Sequence, residues 1–293
     1  MARALFIGHT YIDVTVLADR MPEGDAKDVA RDYAVSFGGN AVTAAFACAK
    51  LGVQVDLITT LADDWLGHMF GEMAHTYGVR LHPRRVARSS LSFILPRGGK
   101  RAILRARDEA PLTDFPRIGL EPFDALHLDG HQPDATLHYA QAFRDRGRLT
   151  SVDGGGVRIN TDEVMSHIDV AVVAERLCEQ MGLSEEAMLD WLKRKGCAIG
   201  GVTTGERGML WYDEGGTVSR LPALPIPPDR VRDTSGAGDV FHGAYLASRL
   251  LRPGEPWIRH FEFARAAAAH KIQHVGNEAG LPSRADVERL IAA

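Results

Sequence analysis

The sequence has few of the residues that build covalently linked or metal-linked scaffolds. Its 293 residues include only three cysteines, Cys48, Cys178 and Cys197, which lie far apart and in neither CxxC nor CxxH spacing. This usage indicates neither a disulfide framework nor a zinc site. It is typical of reduced thiols in a cytoplasm.

Long apolar runs are also missing from the chain. No stretch approaches the roughly 20 apolar residues that a membrane helix needs. The apolar run at residues 4–7 is too short for the core of a signal peptide, and polar residues follow it closely. We therefore expect a cytoplasmic protein that does not bind membranes.

Basic charge is not in excess, since the formal net charge is −4 at pH 7. This argues against a general nucleic-acid or membrane-surface binder. One stretch differs, because residues 84–107 contain eight lysines and arginines and no acid. Aromatic side chains that could stack on bases are nearly absent there. The stretch is either a solvated surface or a source of cations for an anionic substrate.

The chain is otherwise ordinary for a globular protein, with 45% hydrophobic and 25% charged residues. Apolar runs predict strands that alternate with helices, which is typical of a parallel sheet covered on both faces. No repeat or linker divides the chain, so we expect one domain. The predicted strands are 4–8, 53–59, 125–128, 149–152, 170–173 and 198–203, and the predicted helices are 40–50, 67–77, 135–146, 185–195, 240–251 and 262–274.

Two segments, 28–36 and 90–105, break this alternation because they predict strands without helices between them. Residues 96–100 predict a hairpin turn inside the second segment. We expect a small antiparallel sheet outside the main one. A lid over a site and a dimer interface are the two uses open to it.

The segment Asp233-Thr-Ser-Gly-Ala-Gly-Asp239 carries the clearest chemical signal. Its glycines allow a tight turn into an apolar helix, and the unpaired amides and dipole of a helix N-terminus attract anions. Asp239 beside such a hole could accept a proton from an attacking hydroxyl, which predicts phosphoryl transfer from a nucleotide to an alcohol. The alternative is that Asp239 is only a first-turn acid, which stabilises a helix by less than about 1 kcal/mol.

Three glycine-bearing motifs together resemble those of the ribokinase-like, PfkB-type carbohydrate kinases: Gly38-Gly39-Asn40, Thr203 to Gly208, and Asp233 to Asp239. The resemblance extends from Ile7 to Pro282. It implies an α/β, ribokinase-like three-layer sandwich with a mostly parallel central sheet and a small β-sheet lid. The domain would span residues 1–293, with a discontinuous lid from about 11–37 and 88–107.

The resemblance also implies a role for each matching residue on the ATP side. Asp239 would be the general base, and Gly236, Ala237 and Gly238 would bind the migrating phosphoryl group. Asp233 and Thr234 would belong to a loop that binds a monovalent cation, K⁺. Mg²⁺ would arrive with ATP, since it prefers phosphate oxygens and water. The ATP site would contain Thr203, Gly205, Gly208 and Arg265.

The sugar would be bound by another set of residues, with Lys27 and Arg105 as cations from the lid. A likeness of residues 27–33, Thr43 and 239–244 to bacterial sulfofructose kinases, together with these lid cations, favours a sulfosugar or a sugar phosphate. A neutral ketose or pentose stays open as the acceptor. We expect a sugar and ATP as the small-molecule partners, no nucleic acid, and a homodimer through the lid. The remaining sugar residues would be Asp13, Gly38, Gly39, Thr43 and His131.

The sequence departs from the family pattern at two places. Thr43 stands where many members have an asparagine that contacts the sugar. The usual Asn-x-x-Glu after the middle strand is replaced by residues 174–179, where Glu175 is a candidate substitute. Two other functions therefore stay open. One is a nucleoside kinase, with Phe37 and Phe93 as candidate clamps for the base, and the other is a catalytically silent sugar-binding regulator.

Overall fold

A computed structural model describes residues 2–20, 23–97 and 100–292. The centre of the turn predicted at 96–100 lies outside the described residues. The strands are β1 (Arg3–Gly8), β2 (Tyr11–Leu17), β3 (Asp32–Gly38), β4 (Gln54–Leu61), β5 (Val79–Arg85), β6 (Ser90–Arg97), β7 (Lys100–Ala106), β8 (Ala125–Leu128), β9 (Leu149–Gly154), β10 (Val170–Ala174), β11 (Ile199–Thr203), β12 (Met209–Tyr212) and β13 (Val218–Leu221). The helices are α1 (Asn40–Lys50), α2 (Trp65–Thr76), α3 (Pro133–Arg144), α4 (Thr161–Met165), α5 (Glu175–Met181), α6 (Glu185–Arg194), α7 (Ala237–Leu251), α8 (Trp257–Lys271) and α9 (Arg284–Ala292).

The main sheet has nine strands in the order β13-β12-β11-β10-β9-β8-β1-β4-β5. The strands from β5 to β11 in this order are parallel, and β12 and β13 add an antiparallel hairpin at one edge. Residues 4–7 and 170–173 are fully buried runs. Such runs form central strands because helices cover both faces of a parallel sheet. The predicted three-layer α/β fold is confirmed.

Helices form the two outer layers, and each layer has its own apolar core. Phe46 of α1 and Tyr245 of α7 lie in one core, while Tyr139 of α3 and Met188 of α6 lie in the other. Helices α1 and α7 approach each other closely at Gly243. A Cβ added there would lie 2.2 Å from the carbonyl oxygen of Ala44. Glycine is therefore required for this contact, which fixes the position of α7 over the sheet.

The small sheet has four strands in the order β3-β2-β6-β7. It is not wholly antiparallel, since β2 and β6 run parallel while the other two pairs are antiparallel. In the chain, β4 and β5 of the main sheet separate the β2–β3 hairpin from the β6–β7 hairpin. The small sheet contacts the loop after α8, where a Cβ on Gly276 would lie 2.5 Å from the Cβ of Ala34.

The predicted element bounds shift at several helices. Helix α8 spans Trp257–Lys271 rather than 262–274, and α7 begins at Ala237, inside the glycine-rich motif. Strand β5, the β12–β13 hairpin and α9 had no predicted counterpart. Among the residues that the structure describes, no helix is both long and apolar enough to cross a membrane.

Candidate active site

Polar side chains gather where the parallel strands end. His9 follows β1, Asp129 follows β8, Asp153 lies near the end of β9, and Thr203 is the last residue of β11. The carboxyl ends of parallel strands meet at one edge of the sheet, which is where ligands bind in open α/β folds. The small sheet and the N-terminus of α7 lie at this same edge.

The N-terminus of α7 is shaped by glycine. Gly236 is its N-cap, with φ 73° and ψ 0°, a left-handed conformation that glycine adopts without strain. Gly238 is exposed, and a Cβ added there would meet nothing within 4 Å. The first amides of a helix have no intrahelical partner and carry the positive end of the dipole. The predicted residues Gly236, Ala237 and Gly238 therefore lie at a helix N-terminus whose amides are suited to an anion.

Asp239 lies half-buried in the first turn of α7. Burial raises its pKa well above the ordinary 3.8, and the charges of Asp153, Asp13 and Asp129 raise it further, while Arg101 opposes them. The charges of three further carboxyl groups thus act on Asp239. A carboxylate with a raised pKa is a better proton acceptor near neutral pH. These neighbouring charges do nothing to help an acid that only interacts with the helix dipole, because they disfavour its charged form.

Asp13 lies in the middle of β2 and is only 8% exposed. The side-chain Nδ2 of Asn277 donates to Asp13 Oδ2 at 3.1 Å and to the carbonyl of Phe37 at 2.9 Å. Burial raises the pKa of Asp13, and the nearby Ser92 hydroxyl and the charge of Arg105 act against this rise. A Cβ on Gly38 would lie 2.2 Å from Asp13 Cγ, so glycine leaves the space that the carboxylate occupies.

Asn40 is a residue type that often caps helices, but it does not cap α1. Gly39, not Asn40, is the N-cap of α1; its φ is 105°, and a Cβ there would lie 2.1 Å from the carbonyl oxygen of His9. Asn40 is free to face the site instead, and its Nδ2 donates to Asp153 Oδ2 at 2.9 Å. Burial raises the pKa of Asp153. Sequence patterns alone do not indicate this contact, because the two residues lie 113 positions apart.

Thr43 and His131 occupy different depths. Thr43 is fully buried in α1, and its hydroxyl has no hydrogen-bond partner among the described residues. His131 is half-buried at the strand edge, where its backbone amide donates to Asp129 Oδ1 at 3.0 Å and its Nε2 lies 2.9 Å from an Arg158 nitrogen. The structure therefore places His131 next to Asp129, at the edge of the sheet where the polar side chains gather. Thr43 is fully buried within α1.

Three cations of the predicted lid can be located in the structure. Arg105 is exposed, and its guanidinium lies over the ring of Tyr11 at 5.1 Å. Arg101 reaches the loop before α7, where it donates to the carbonyl of Thr234 at 3.5 Å. Lys27 is exposed on the connection between β2 and β3. Arg101 and Arg105 of the basic stretch thus lie near the site.

The residues predicted for the nucleotide lie along the β11 to β13 edge. Thr203 ends β11 and donates to the carbonyl of Val173 at 3.3 Å. Gly205 and Gly208 both have positive φ, 61° and 89°, around a short turn. Arg265 of α8 donates to the carbonyl of Pro222 at 2.9 Å. A Cβ on Gly208 would lie 2.1 Å from the carbonyl oxygen of Leu221, which precedes Pro222. Arg265 and Gly208 therefore contact the same segment.

The region of the missing Asn-x-x-Glu motif offers little to a divalent metal. Glu175 begins α5 and pairs with Arg207 at 2.5 Å, and Leu177 is fully buried. In the part of the chain that the structure describes, no group of three or more His, Cys, Asp or Glu residues could hold a metal ion. Mg²⁺ at this site would depend on phosphate oxygens and water.

Asp233 lies under the glycine-rich turn in a fully buried ion pair. Lys271 Nζ is 3.2 Å from both the carbonyl oxygen and Oδ2 of Asp233, and neither side chain is exposed. The carboxylate also accepts hydrogen bonds from the amides of Ser235 and Gly276, at 2.9 and 3.1 Å. Burial lowers the pKa of Lys271, and the charge and hydrogen bond of Asp233 oppose that shift. No local sequence pattern predicts this pair, because Asp233 and Lys271 lie 38 positions apart in the chain.

Known proteins share this sequence pattern and fold. The sequence model of the pfkB family of carbohydrate kinases matches residues 1–284. An ATP-dependent ribose-1-phosphate kinase of Halopiger xanaduensis is 27% identical, covering 92% of this chain and 91% of the relative. A cytidine kinase of Thermococcus kodakarensis is 26% identical, covering 88% and 93%. The structure of Arabidopsis thaliana ribokinase complexed with ribose and ATP has a TM-score of 0.80 at 22% identity and full coverage of both chains.

Proposed function

Because the chain belongs to the pfkB family of carbohydrate kinases, whose relatives here are ATP-dependent sugar and nucleoside kinases, we propose that its acceptor is an anionic sugar derivative. Asp239 acts as the general base in this proposal. The observation that carries this role is the position of Asp239 in the first turn of α7, next to Gly238, where a Cβ would meet nothing within 4 Å.

The reaction follows from the positions of these groups. The acceptor hydroxyl gives its proton to Asp239 while its oxygen forms a bond to the γ-phosphorus of ATP. The bond from that phosphorus to the β–γ bridging oxygen breaks, and ADP leaves. Amides in the first turn of α7 stabilise the charge on the transferring group, as preorganised donors do. Mg²⁺ bound to ATP supplies further charge neutralisation.

The site offers two kinds of group to an acceptor. Asp13, Asp129 and Asp153 can accept hydrogen bonds from sugar hydroxyls. Arg105 lies beside Asp13, close enough for its charge to act against the rise in that pKa. A sulfonate, phosphate or carboxylate on the acceptor would pair with this guanidinium, and such charge-assisted bonds are about twice as strong as neutral ones. A relative named for a phosphosugar supports the same direction.

A nucleoside acceptor is less well supported. The candidate clamp Phe37 is fully buried and stacks on Phe46 with ring centroids 3.9 Å apart, so it is not available to a base. Phe93 is half-buried in β6. A relative named as a cytidine kinase makes this class a necessary arm of the test.

The proposal is tested by steady-state kinetics with ATP and a panel of acceptors. The panel contains ribose, fructose, ribose 1-phosphate, fructose 6-phosphate, 6-sulfofructose and cytidine. We expect the highest kcat/KM with an anionic sugar and a drop in that preference in Arg105→Ala. With the preferred acceptor, Asp239→Asn should lower kcat by about 10²-fold or more while ATP binding persists, because general-base catalysis contributes about 10²–10⁴-fold.

Two control variants separate these effects from general damage. Asp145→Asn removes an exposed carboxylate at the far end of α3 and should leave kcat unchanged. Lys27→Ala removes a second lid cation and shows whether the preference belongs to Arg105. Higher kcat/KM for neutral sugars or cytidine, unaltered by Arg105→Ala, would contradict the anionic acceptor. An Asp239→Asn variant with more than about half of the wild-type kcat would contradict the base.

A further inference from the structure

The buried lysine at the end of α8 is the least expected charge in the molecule. Lys271 is 0% exposed, in a helix face otherwise made of alanine and aromatic residues. Lysine is almost never fully buried unless it is paired. Its partner is Asp233, the first residue of the glycine-rich motif, so the ammonium lies directly beneath the turn that shapes the N-terminus of α7.

The backbone around the lysine is shaped to admit its stem. A Cβ on Gly280 would lie 2.2 Å from Lys271 Cδ and 3.1 Å from Cε, and a Cβ on Gly236 would lie 3.6 Å from Cε. Only glycine at position 280 leaves room for the methylene chain. The site is therefore built around this side chain.

The position predicted for K⁺ does not fit a free ion. A cation in the loop of Asp233 and Thr234 would take the oxygens of Asp233 as ligands. The ammonium of Lys271 already lies 3.2 Å from two of those oxygens, the carbonyl and Oδ2. A second cation bound to the same atoms would overlap the ammonium or contact its charge. The second carboxylate oxygen, Oδ1, already accepts the amide of Ser235.

We propose that the Lys271 ammonium replaces the monovalent cation of this loop, so that the protein needs no K⁺. The tethered charge holds Asp233 in place, and Asp233 in turn holds the amides of Ser235 and Gly276. These contacts fix the turn that leads into Gly236 and the helix N-terminus. Lys271 is thus a positioning residue: it touches no reacting atom and acts through Asp233.

The wild-type protein gives the first test. Its melting temperature and its kcat/KM are measured in KCl, NaCl and tetramethylammonium chloride at equal ionic strength. We expect both to be the same in the three salts, with kcat/KM varying by less than about twofold. A melting temperature that rises specifically with K⁺ would overturn the proposal, because a bound ion stabilises the folded state. A tenfold activation by K⁺ would overturn it equally.

Substitution of the lysine gives the second test. Lys271→Ala removes the stem and the charge, which leaves space beside Asp233. We expect a lower melting temperature that K⁺ partly restores and tetramethylammonium does not. Lys50→Met is the matched control, since Lys50 also ends a helix but is exposed, and it should show no salt response. A stable Lys271→Ala variant that melts equally in all three salts would overturn the proposal.

The two readouts have different premises. The kinetic readout rests on the proposed function, whereas melting needs neither ATP nor an acceptor. If no acceptor were turned over, melting of the wild-type protein would still decide the question. If Lys271→Ala did not fold, the wild-type salt series would decide it alone.

Discussion

Substituting Gly236 by alanine perturbs the turn at the centre of the site, and the structure sets the size of the effect. The residue has φ 73°, and a left-handed conformation costs a residue with a Cβ about 1–2 kcal/mol. The new Cβ would also lie 2.2 Å from Asn277 Oδ1, so Asn277 must move. Weakening its bonds to Asp13 and Phe37 costs about 0.5–1 kcal/mol each. The sum is about 2–4 kcal/mol.

The assay is thermal unfolding combined with acceptor kinetics. At about 2 °C per kcal/mol for a chain of this size, Gly236→Ala should lower the melting temperature by roughly 4–8 °C. It should also raise the KM of the acceptor, because Asn277 holds the carboxylate of Asp13. The KM of ATP should change less, since the residues predicted for the nucleotide lie at the β11 to β13 edge.

Two other glycines provide matched controls. Gly216 has φ 72° in an exposed turn where a Cβ would meet nothing within 4 Å, so Gly216→Ala measures the cost of the conformation alone. Gly238 also has open space around it but lacks a positive φ. Gly238→Ala should therefore melt like the wild type and still lose kcat, because its Cβ would intrude on the anion-binding turn. Equal melting of Gly236→Ala and Gly216→Ala, with the acceptor KM unchanged, would refute the reasoning.

Two further outcomes follow from burial and exposure. The folded-state pKa of Asp239 lies above its unfolded value, so folding stability is lost as the pH rises from the ordinary carboxylate range through the folded-state pKa. Asp239→Asn should therefore melt above the wild type at pH 8, and the gap should close as the pH falls toward 3.8; a variant that melts lower at pH 8 would contradict this. The small sheet exposes Tyr33 (71%) and Leu104 (75%), which we expect a second copy of the chain to cover. Light scattering should show a dimer that Tyr33→Asp and Leu104→Asp weaken, and a monomeric wild type at micromolar concentration would disprove it.

Local patterns were sufficient to predict the layered fold and the position of the glycine-rich turn at the start of α7. Apolar runs such as residues 170–173 have few alternatives to a central strand, and residues 233–239 combine a glycine turn with an apolar helix. Short edge strands such as β12 and β13 were not predicted, because their pairing depends on neighbours rather than on their own composition. The family resemblance, confirmed over residues 1–284, supplied the fold and the reaction class.

The contacts between distant segments could not be predicted from the sequence. Asn40 has the composition of a helix cap, and only the closeness of Gly39 to His9 shows that the cap is elsewhere. Lys271 ends an alanine-rich helix with no polar neighbour in sequence that indicates a buried partner. Thr43 stands at a family position that contacts the sugar, and its side chain is fully buried in α1.

The hydrogen bond between Asn277 and Asp13 joins residues 264 positions apart, and this separation has a consequence for biosynthesis. A ribosome releases the nine strands of the main sheet long before it adds Asn277. Until then the carboxylate of Asp13 lacks its amide partner, and the turn at Gly236 lacks the residue that borders it. A nascent or prematurely terminated chain can hold most of the fold without a complete acceptor pocket. We therefore expect a chain that ends before Asn277 to transfer phosphate poorly, even where its main sheet has folded.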